Sequence, residues 1–283
     1  MDKLTLLQAG PYTSLQRLPR WEKLAMGWPV GGPLEPDIAA LMRRLLGIPK
    51  DAAVLEFFGG GLRMEATCPL RGLLWTPSTR FTFQGGPQHI RAGEFFQLRA
   101  GDRLKIPILK ESYLGYLAFD RSLSTEITDK GTVRLVQKAT LALGPKVLSP
   151  TFHARVQLPF FPLRTKPYEL PVCAGPDFHL LDPFSLARLQ EQPFTFSAAA
   201  FHRMGLRLSE HLQPHAHSLL SSPTQPGTVQ WTPSGELILL GPDAQVTGGY
   251  PRILHLPESS RLALYRLCRG QAFIFSLNPR KSF

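Results

Sequence analysis

Cysteine is nearly missing. Cys68, Cys173 and Cys268 stand about a hundred residues apart, an odd number without metal-ligand spacing. That excludes a disulfide framework and a cysteine-held zinc, and it fits small buried hydrophobes in a reducing cytoplasm. No apolar run approaches the ~18 residues a membrane helix needs, so no membrane association is expected. The opening MDKLTLLQAGPYTSLQ lacks a small-residue cleavage site and reads as a first strand, not a signal peptide. Acidic residues are scarce, 21 against 32 Lys and Arg, giving a net charge of +11 and a pI near 9.9. The basic residues are nonetheless scattered singly, without the dense run that footprints phosphate backbones. Nucleic acid is therefore not the expected partner; an anionic small molecule or an acidic protein is.

What remains is a chain of 283 residues, long enough for one large or two ordinary domains. Its 43% hydrophobic and 19% charged content belongs to a globular protein. Proline (27) and glycine (24) are abundant and dispersed, and such punctuation between short apolar runs predicts many short strands. Beyond the first strand, these are expected at 54–58, 72–75, 95–98, 104–109, 113–119, 156–158, 195–198, 237–240 and 272–276. Ala100-Gly101-Asp102-Arg103 reads as a turn. Helices are few: Pro36 to Leu46, opened by proline and ended by Gly47, with shorter candidates at 184–190 and 259–267. The fold class is mainly β with two or three short helices, and the proline-rich stretch 143–167 is the best seam.

The stretch 227–252 concentrates hydrogen-bonding groups between turns. Pro233-Ser234-Gly235 leads into the apolar run 237–240, and Thr247-Gly248-Gly249-Tyr250-Pro251 closes it. Adjacent glycines let a ligand or other backbone approach closely. Carboxamides such as Gln230 and Gln245 can donate to the oxygen and accept from the nitrogen of a planar N–C=O edge. Backbone N–H groups of 247–249 could face a developing oxyanion. Arg203 and Arg207 could clamp a carboxylate or phosphate, and Asp243 is the leading candidate base. Each residue also has a plain structural reading: a simple turn for 247–250, satisfied strand-end amides, surface ion pairs for the arginines. His211, His215 and His217 read as a solvated loop, broken by Pro214, rather than a metal site. Gly59-Gly60-Gly61 reads as a tight turn, because no lysine-serine pair follows as in a phosphate loop.

The same stretch resembles the signature of the biotin-dependent carboxyltransferase / 5-oxoprolinase C-subunit family, also called KipA-like or allophanate hydrolase subunit two. Gly227, Gln230, Pro233, Gly235, Ile238, Leu240, Asp243, Gln245, Thr247, Gly248, Gly249, Tyr250 and Pro251 match it. An upstream segment, Arg203-Met204-Gly205-Leu206-Arg207-Leu208, matches a second motif. The N-terminal motifs are eroded: Gln16, Arg20, Gly27, Pro29, Gly31 and Gly32 are kept. Arg17 and Glu35 stand where the family has aspartates, and the glycine pair after Tyr116-Leu117-Ala118 is absent. The resemblance implies two β-barrel-like halves, 1–145 and 146–283, the second cyclophilin-like. It implies a subunit of an ATP-dependent 5-oxoprolinase, opening a lactam to glutamate with a KipI-like and a LamB/YcsF-like subunit, with ATP shared with the partner subunit. Two alternatives stay open. One is carboxyl transfer to a urea-like amide from biotin carried on another chain; the other is a non-catalytic regulator of a KipI-like protein. The site residues expected are Asp243 and Gln230 for catalysis, with Arg203, Arg207, Gln245, Thr247, Gly248, Gly249 and Tyr250 on substrate, and no metal.

Overall fold

A computed structural model describes residues 2–77, 82–109, 113–125, 131–147, 167–197, 200–267 and 270–277. The chain divides into two compact units, Met1–Pro19 with Gly31–Pro162, and Arg20–Val30 with Leu163–Phe283. Both are mainly β, as the dispersed prolines and glycines predict.

In the first unit the chain runs β1 (Lys3–Ala9), β2 (Tyr12–Gln16), α1 (Pro36–Leu46), β3 (Val54–Phe58), β4 (Gly60–Ala66), β5 (Leu70–Trp75) and β6 (Thr82–Gly85). It continues through β7 (Gln88–Arg91), β8 (Phe95–Leu98), β9 (Arg103–Ile108), β10 (Leu114–Phe119), β11 (Arg121–Ser124), β12 (Thr132–Leu135) and β13 (Thr140–Lys146). One sheet has the order β11-β13-β1-β4-β9-β6-β7 and the other β12-β2-β3-β10-β5-β8. Strand alternation turns Leu4, Leu6, Leu62, Met64 and Ile106 of the first sheet toward Leu15, Leu55, Phe57, Leu117 and Phe119 of the second, in one core. The second sheet is covered on its other face as well, which is why β3 is buried along its whole length. There α1 packs, with Ile38, Ala39, Met42 and Leu46 buried. Gly47 ends it in the left-handed region (φ 70°), returning its N–H to the Arg43 and Arg44 carbonyls.

The glycine triplet 59–61 carries the chain from β3 directly into β4, with only Gly59 between the strands. All three glycines have φ above 70°, and a Cβ on Gly60 would lie 2.1 Å from the Pro107 carbonyl oxygen.

The second unit contains β14 (Tyr168–Ala174), α2 (Pro183–Glu191), β15 (Gly205–His211), β16 (Ser222–Pro223), β17 (Thr228–Trp231) and β18 (Glu236–Leu240). β19 (Thr247–Gly248), β20 (Arg252–His255), α3 (Glu258–Tyr265) and β21 (Phe273–Leu277) follow. Its sheet has the order β15-β18-β17-β20-β14-β21, with β14 and β21 parallel, and β16 and β19 form a separate two-stranded ribbon. α2 begins at Pro183 after Asp182, whose carboxylate accepts from the Phe184 and Ser185 N–H groups at 2.9 Å.

One expected strand fails. Residues 195–197 are irregular, because Glu210 takes both the Thr195 N–H and its hydroxyl (2.6 and 2.8 Å) and Ser197 accepts the Ala200 N–H in a local turn. Only Phe194 bridges, to Phe273. The strand expected at 156–158 lies outside the described residues.

A steric test follows from β10. Gly115→Ala would put its Cβ 2.3 Å from a Phe57 ring carbon. We expect a loss of about 1–3 kcal/mol in urea unfolding.

Candidate functional site

The second unit's sheet has two chemically distinct faces. Leu206, Leu239, Val229 and Leu254 pair in register across β15, β18, β17 and β20, and all four are buried in the core. One residue along β15, β18 and β17, and past a register shift on β20, the opposite face carries the row Arg207, Ile238, Gln230 and Arg252. A side chain on that face would ordinarily meet solvent. Gln230 does not; it is 1% exposed.

The ribbon of β16 and β19 is what covers it. Ser222 pairs with Gly248 and Pro223 with Thr247. Thr224 fastens the ribbon's two sides, its hydroxyl donating to the Gln245 carbonyl (2.6 Å) and its N–H to that of Val246 (2.9 Å). Arg252 ties the ribbon down through Nη1 to the Pro223 carbonyl at 3.0 Å, while Asp177 accepts from its Nε and its backbone N–H, each at 2.9 Å. Burial alone would raise the Asp177 carboxyl, but the hydrogen bonds from Arg252 outweigh it and hold the group below the usual carboxylate range.

Under this ribbon the Gln230 amide lies directly against Gly248. A Cβ there would sit 2.4 Å from Gln230 Nε2, so a side chain at 248 would displace the amide. The Nε2 group is buried and, among the described residues, has no hydrogen-bond partner. An orphaned buried donor costs about 1–3 kcal/mol, and side chains selected for stability alone are paired. Chemically, the Gln230 amide is a buried hydrogen-bond donor beside the bare backbone of Gly248.

The other residues singled out from sequence divide sharply. Arg203 (1% exposed) and Asp243 pair with each other in bidentate geometry, Nε–Oδ2 2.7 Å and Nη2–Oδ1 2.8 Å. Asp243 N–H and Gly241 N–H also bond the carbonyls of Arg203 and Met204, so this pair pins the loop after β18 to the chain before β15. Arg207 is exposed and bonded to Glu236 at 3.0 Å. Gln245 and Thr247 are exposed on the ribbon, and Tyr250 is 44% exposed. The structure thus brings Gln230 and Gly248 together, joins Arg203 to Asp243, and leaves Gln245, Thr247 and Tyr250 on the outer side. Arg252, Asp177 and Thr224 hold the site and were not anticipated. Of the three histidines, His211 ends β15 rather than lying in a loop, while His215 and His217 follow in irregular chain, His215 tilted against Trp231 with ring centroids 4.0 Å apart.

The first unit holds a second buried polar constellation. Ser14, Glu56 and Tyr116 are in register across β2, β3 and β10, and each is fully buried. The Tyr116 hydroxyl donates to Glu56 and accepts the Glu35 N–H (3.0 Å), and Glu56 also takes the Leu34 N–H at 2.9 Å. Burial, then the charge and hydrogen bond of Glu56, push the Tyr116 hydroxyl well above its ordinary 10. The signal in the sequence is a single polar side chain, Glu56 and Tyr116 respectively, within each of the otherwise apolar strands β3 and β10.

Three outcomes test this geometry. Gln230→Met, which removes the orphaned donor at similar volume, should be neutral or stabilise the second unit by about 1 kcal/mol in chemical denaturation. Asp243→Ala, which strands a buried guanidinium, should cost about 3 kcal/mol, whereas Arg207→Ala should change stability by less than about 0.5 kcal/mol. His255 is lowered from its ordinary 6.5 to about 4 by burial and then by Arg261. The folded state holds it neutral, so its contribution is present above pH 6.5 and is lost as pH falls from 6.5 toward 4. His255→Gln should flatten the stability profile in that window.

Comparisons with known proteins agree with this architecture. The family model described as "Carboxyltransferase domain, subdomain A and B" matches residues 26–277. The C-type subunit of 5-oxoprolinase from Escherichia coli (strain K12) is 36% identical over 103 residues, covering 36% of this chain and 33% of that protein. That of Haemophilus influenzae (strain ATCC 51907 / DSM 11121 / KW20 / Rd) is 28% identical over 194 residues, 64% of this chain and 61% of that one. The matched stretches therefore cover less than two thirds of either relative. In fold, the chain is similar to TTHA0988 in space group P6522 (TM-score 0.78, 23% identity, 98% of this chain and 56% of that chain). It is also similar to the Kluyveromyces lactis urea carboxylase (TM-score 0.77, 16% identity, 96% and 27%). The family match spans the strands that carry Glu56 and Tyr116 as well as those that carry Gln230 and Gly248: the chain belongs to the carboxyltransferase domain family, subdomains A and B.

Proposed function

We propose that the chain is the C-type subunit of an ATP-dependent 5-oxoprolinase, acting with a KipI-like and a LamB/YcsF-like subunit, which opens the lactam of 5-oxoproline to glutamate. The observation that carries this reading is the unpartnered Nε2 of Gln230, buried against Gly248. The relatives named as this subunit support the choice of substrate class.

Gln230 Nε2 donates to the lactam oxygen, beside the Gly248 backbone, which carries no side chain of its own. As charge builds on that oxygen, a donor already fixed in a water-poor setting needs no reorganisation. Gln245, Thr247, Gly249 and Tyr250 form the outer rim of the ribbon and orient the rest of the substrate. Arg203 and Asp243 act as positioning residues, since their charges satisfy each other and fix the loop that leads to Thr247. ATP, when bound, supplies the phosphoryl group that activates the lactam oxygen. The glycine triplet 59–61 does not suit that cofactor, because its backbone packs against Pro107 and follows no phosphate-loop pattern. In this reading the nucleotide is shared with the partner subunit.

A second reading, carboxyl transfer to a urea-like amide from biotin on another chain, is favoured by the fold shared with a urea carboxylase. Urea presents the same planar edge to Gln230. Reconstitution with the two partner subunits separates these cases. We expect phosphate release that depends on 5-oxoproline, with kcat/KM reduced about tenfold to a hundredfold by Gln230→Met. Turnover with carboxybiotin and urea would move the assignment to the second reading. Tight partner binding without either turnover would make the chain a regulator and overturn both.

A further inference from the structure

The outward face of the first unit's seven-stranded sheet carries a row that the 5-oxoprolinase reading does not use. Gln8, Arg63, Lys105 and Gln84 are in register across the adjacent strands β1, β4, β9 and β6. All four are exposed, and they line a cleft of about 850 Å³. That volume is typical of small-ligand sites.

The charges in this row are unusual. Arg63 and Lys105 face each other directly across β4 and β9, where like charges destabilise the pair of strands. Two carboxylates lie nearby, and one of them, Asp102, lines the same cleft. Glu65, in the next row, holds Arg103 at 2.7 Å, and Asp102 accepts the Arg99 N–H at 2.7 Å. Among the described residues neither Arg63 nor Lys105 has an ion-pair partner. Two cations of opposed geometry, a planar fork and a point charge, are thus set side by side with a carboxamide on each flank. An anion between them turns a repulsion into two attractions.

We propose that this cleft binds a small phosphate-bearing molecule, with the phosphate between Arg63 and Lys105 and the amides of Gln8 and Gln84 donating to its oxygens. A phosphate carries nearly two negative charges near neutral pH, matching the two unpaired cations, where a single carboxylate matches one. Among the described residues that line the cleft there is no aromatic on which a nucleobase would stack, so the ligand is recognised by its phosphate and by polar contacts. The scattered net positive charge of the chain favours the encounter.

The test uses the full chain alone, independent of any partner subunit or of turnover. Titration calorimetry with inorganic phosphate and with pyrophosphate, at constant ionic strength, should show saturable binding at one site. Arg63→Gln and Lys105→Gln should each weaken it at least about tenfold. Because each substitution also removes the like-charge pair, each variant without ligand should unfold at a higher denaturant midpoint than the parent. That distinguishes a lost binding group from a damaged fold. Absence of saturable binding, binding in either variant as tight as the parent's, or tighter binding of succinate than of either phosphate compound would overturn the proposal.

Discussion

Gln230 is carried to the outward face of its sheet by the same alternation that sends Val229 and Trp231 inward, and the ribbon of β16 and β19 then removes it from water. Desolvating a carboxamide without an acceptor works against folding. The remainder of the site maintains that situation. Gly248 omits the side chain that would collide with the amide. Arg252, held by Asp177, grips the ribbon at Pro223, and Thr224 links its two sides. The Arg203–Asp243 pair fixes the loop that delivers the ribbon, and its charges are consumed in doing so. The ribbon and its loop are therefore held by charged pairs, while the amide beneath them is neutral.

In the proposed reaction, that arrangement suits the planar amide edge of the substrate. An amide oxygen gains little from a distant charge, but it gains a great deal from one donor fixed at the right place before the reaction begins. The first unit shows a related economy. Its Glu56 is sustained in full burial by the Tyr116 hydroxyl and the Leu34 N–H, with α1 covering that face of the sheet.

Much of the fold was legible because the period-two pattern and the turn residues are local. The helix Pro36–Leu46 and the strands Val54–Phe58 and Phe95–Leu98 have their expected bounds. Residues 195–197 misled because Thr195 and Ser197 have strand-compatible side chains whose polar groups are drawn into local and Glu210 hydrogen bonds. At the site, the sequence pointed to Gln230 and the glycines but gave no sign that Arg203 would be spent on Asp243. Nor did it disclose that Arg252, Asp177 and Thr224 hold the ribbon. Those contacts join segments many residues apart, and pairing of that kind is set by topology. The Arg63–Lys105 row was equally hidden, since each cation looks like any isolated surface charge until β4 and β9 are placed side by side.

The central claim is that the Gln230 amide awaits an external acceptor. Its side-chain NH2 signal in a ¹⁵N-correlated NMR spectrum, identified by its loss in Gln230→Met, reports on this directly. Addition of 5-oxoproline or urea should move that signal downfield in a saturable manner, as a new hydrogen bond forms. A signal unchanged by either compound, alone and with the partner subunits present, would contradict the account.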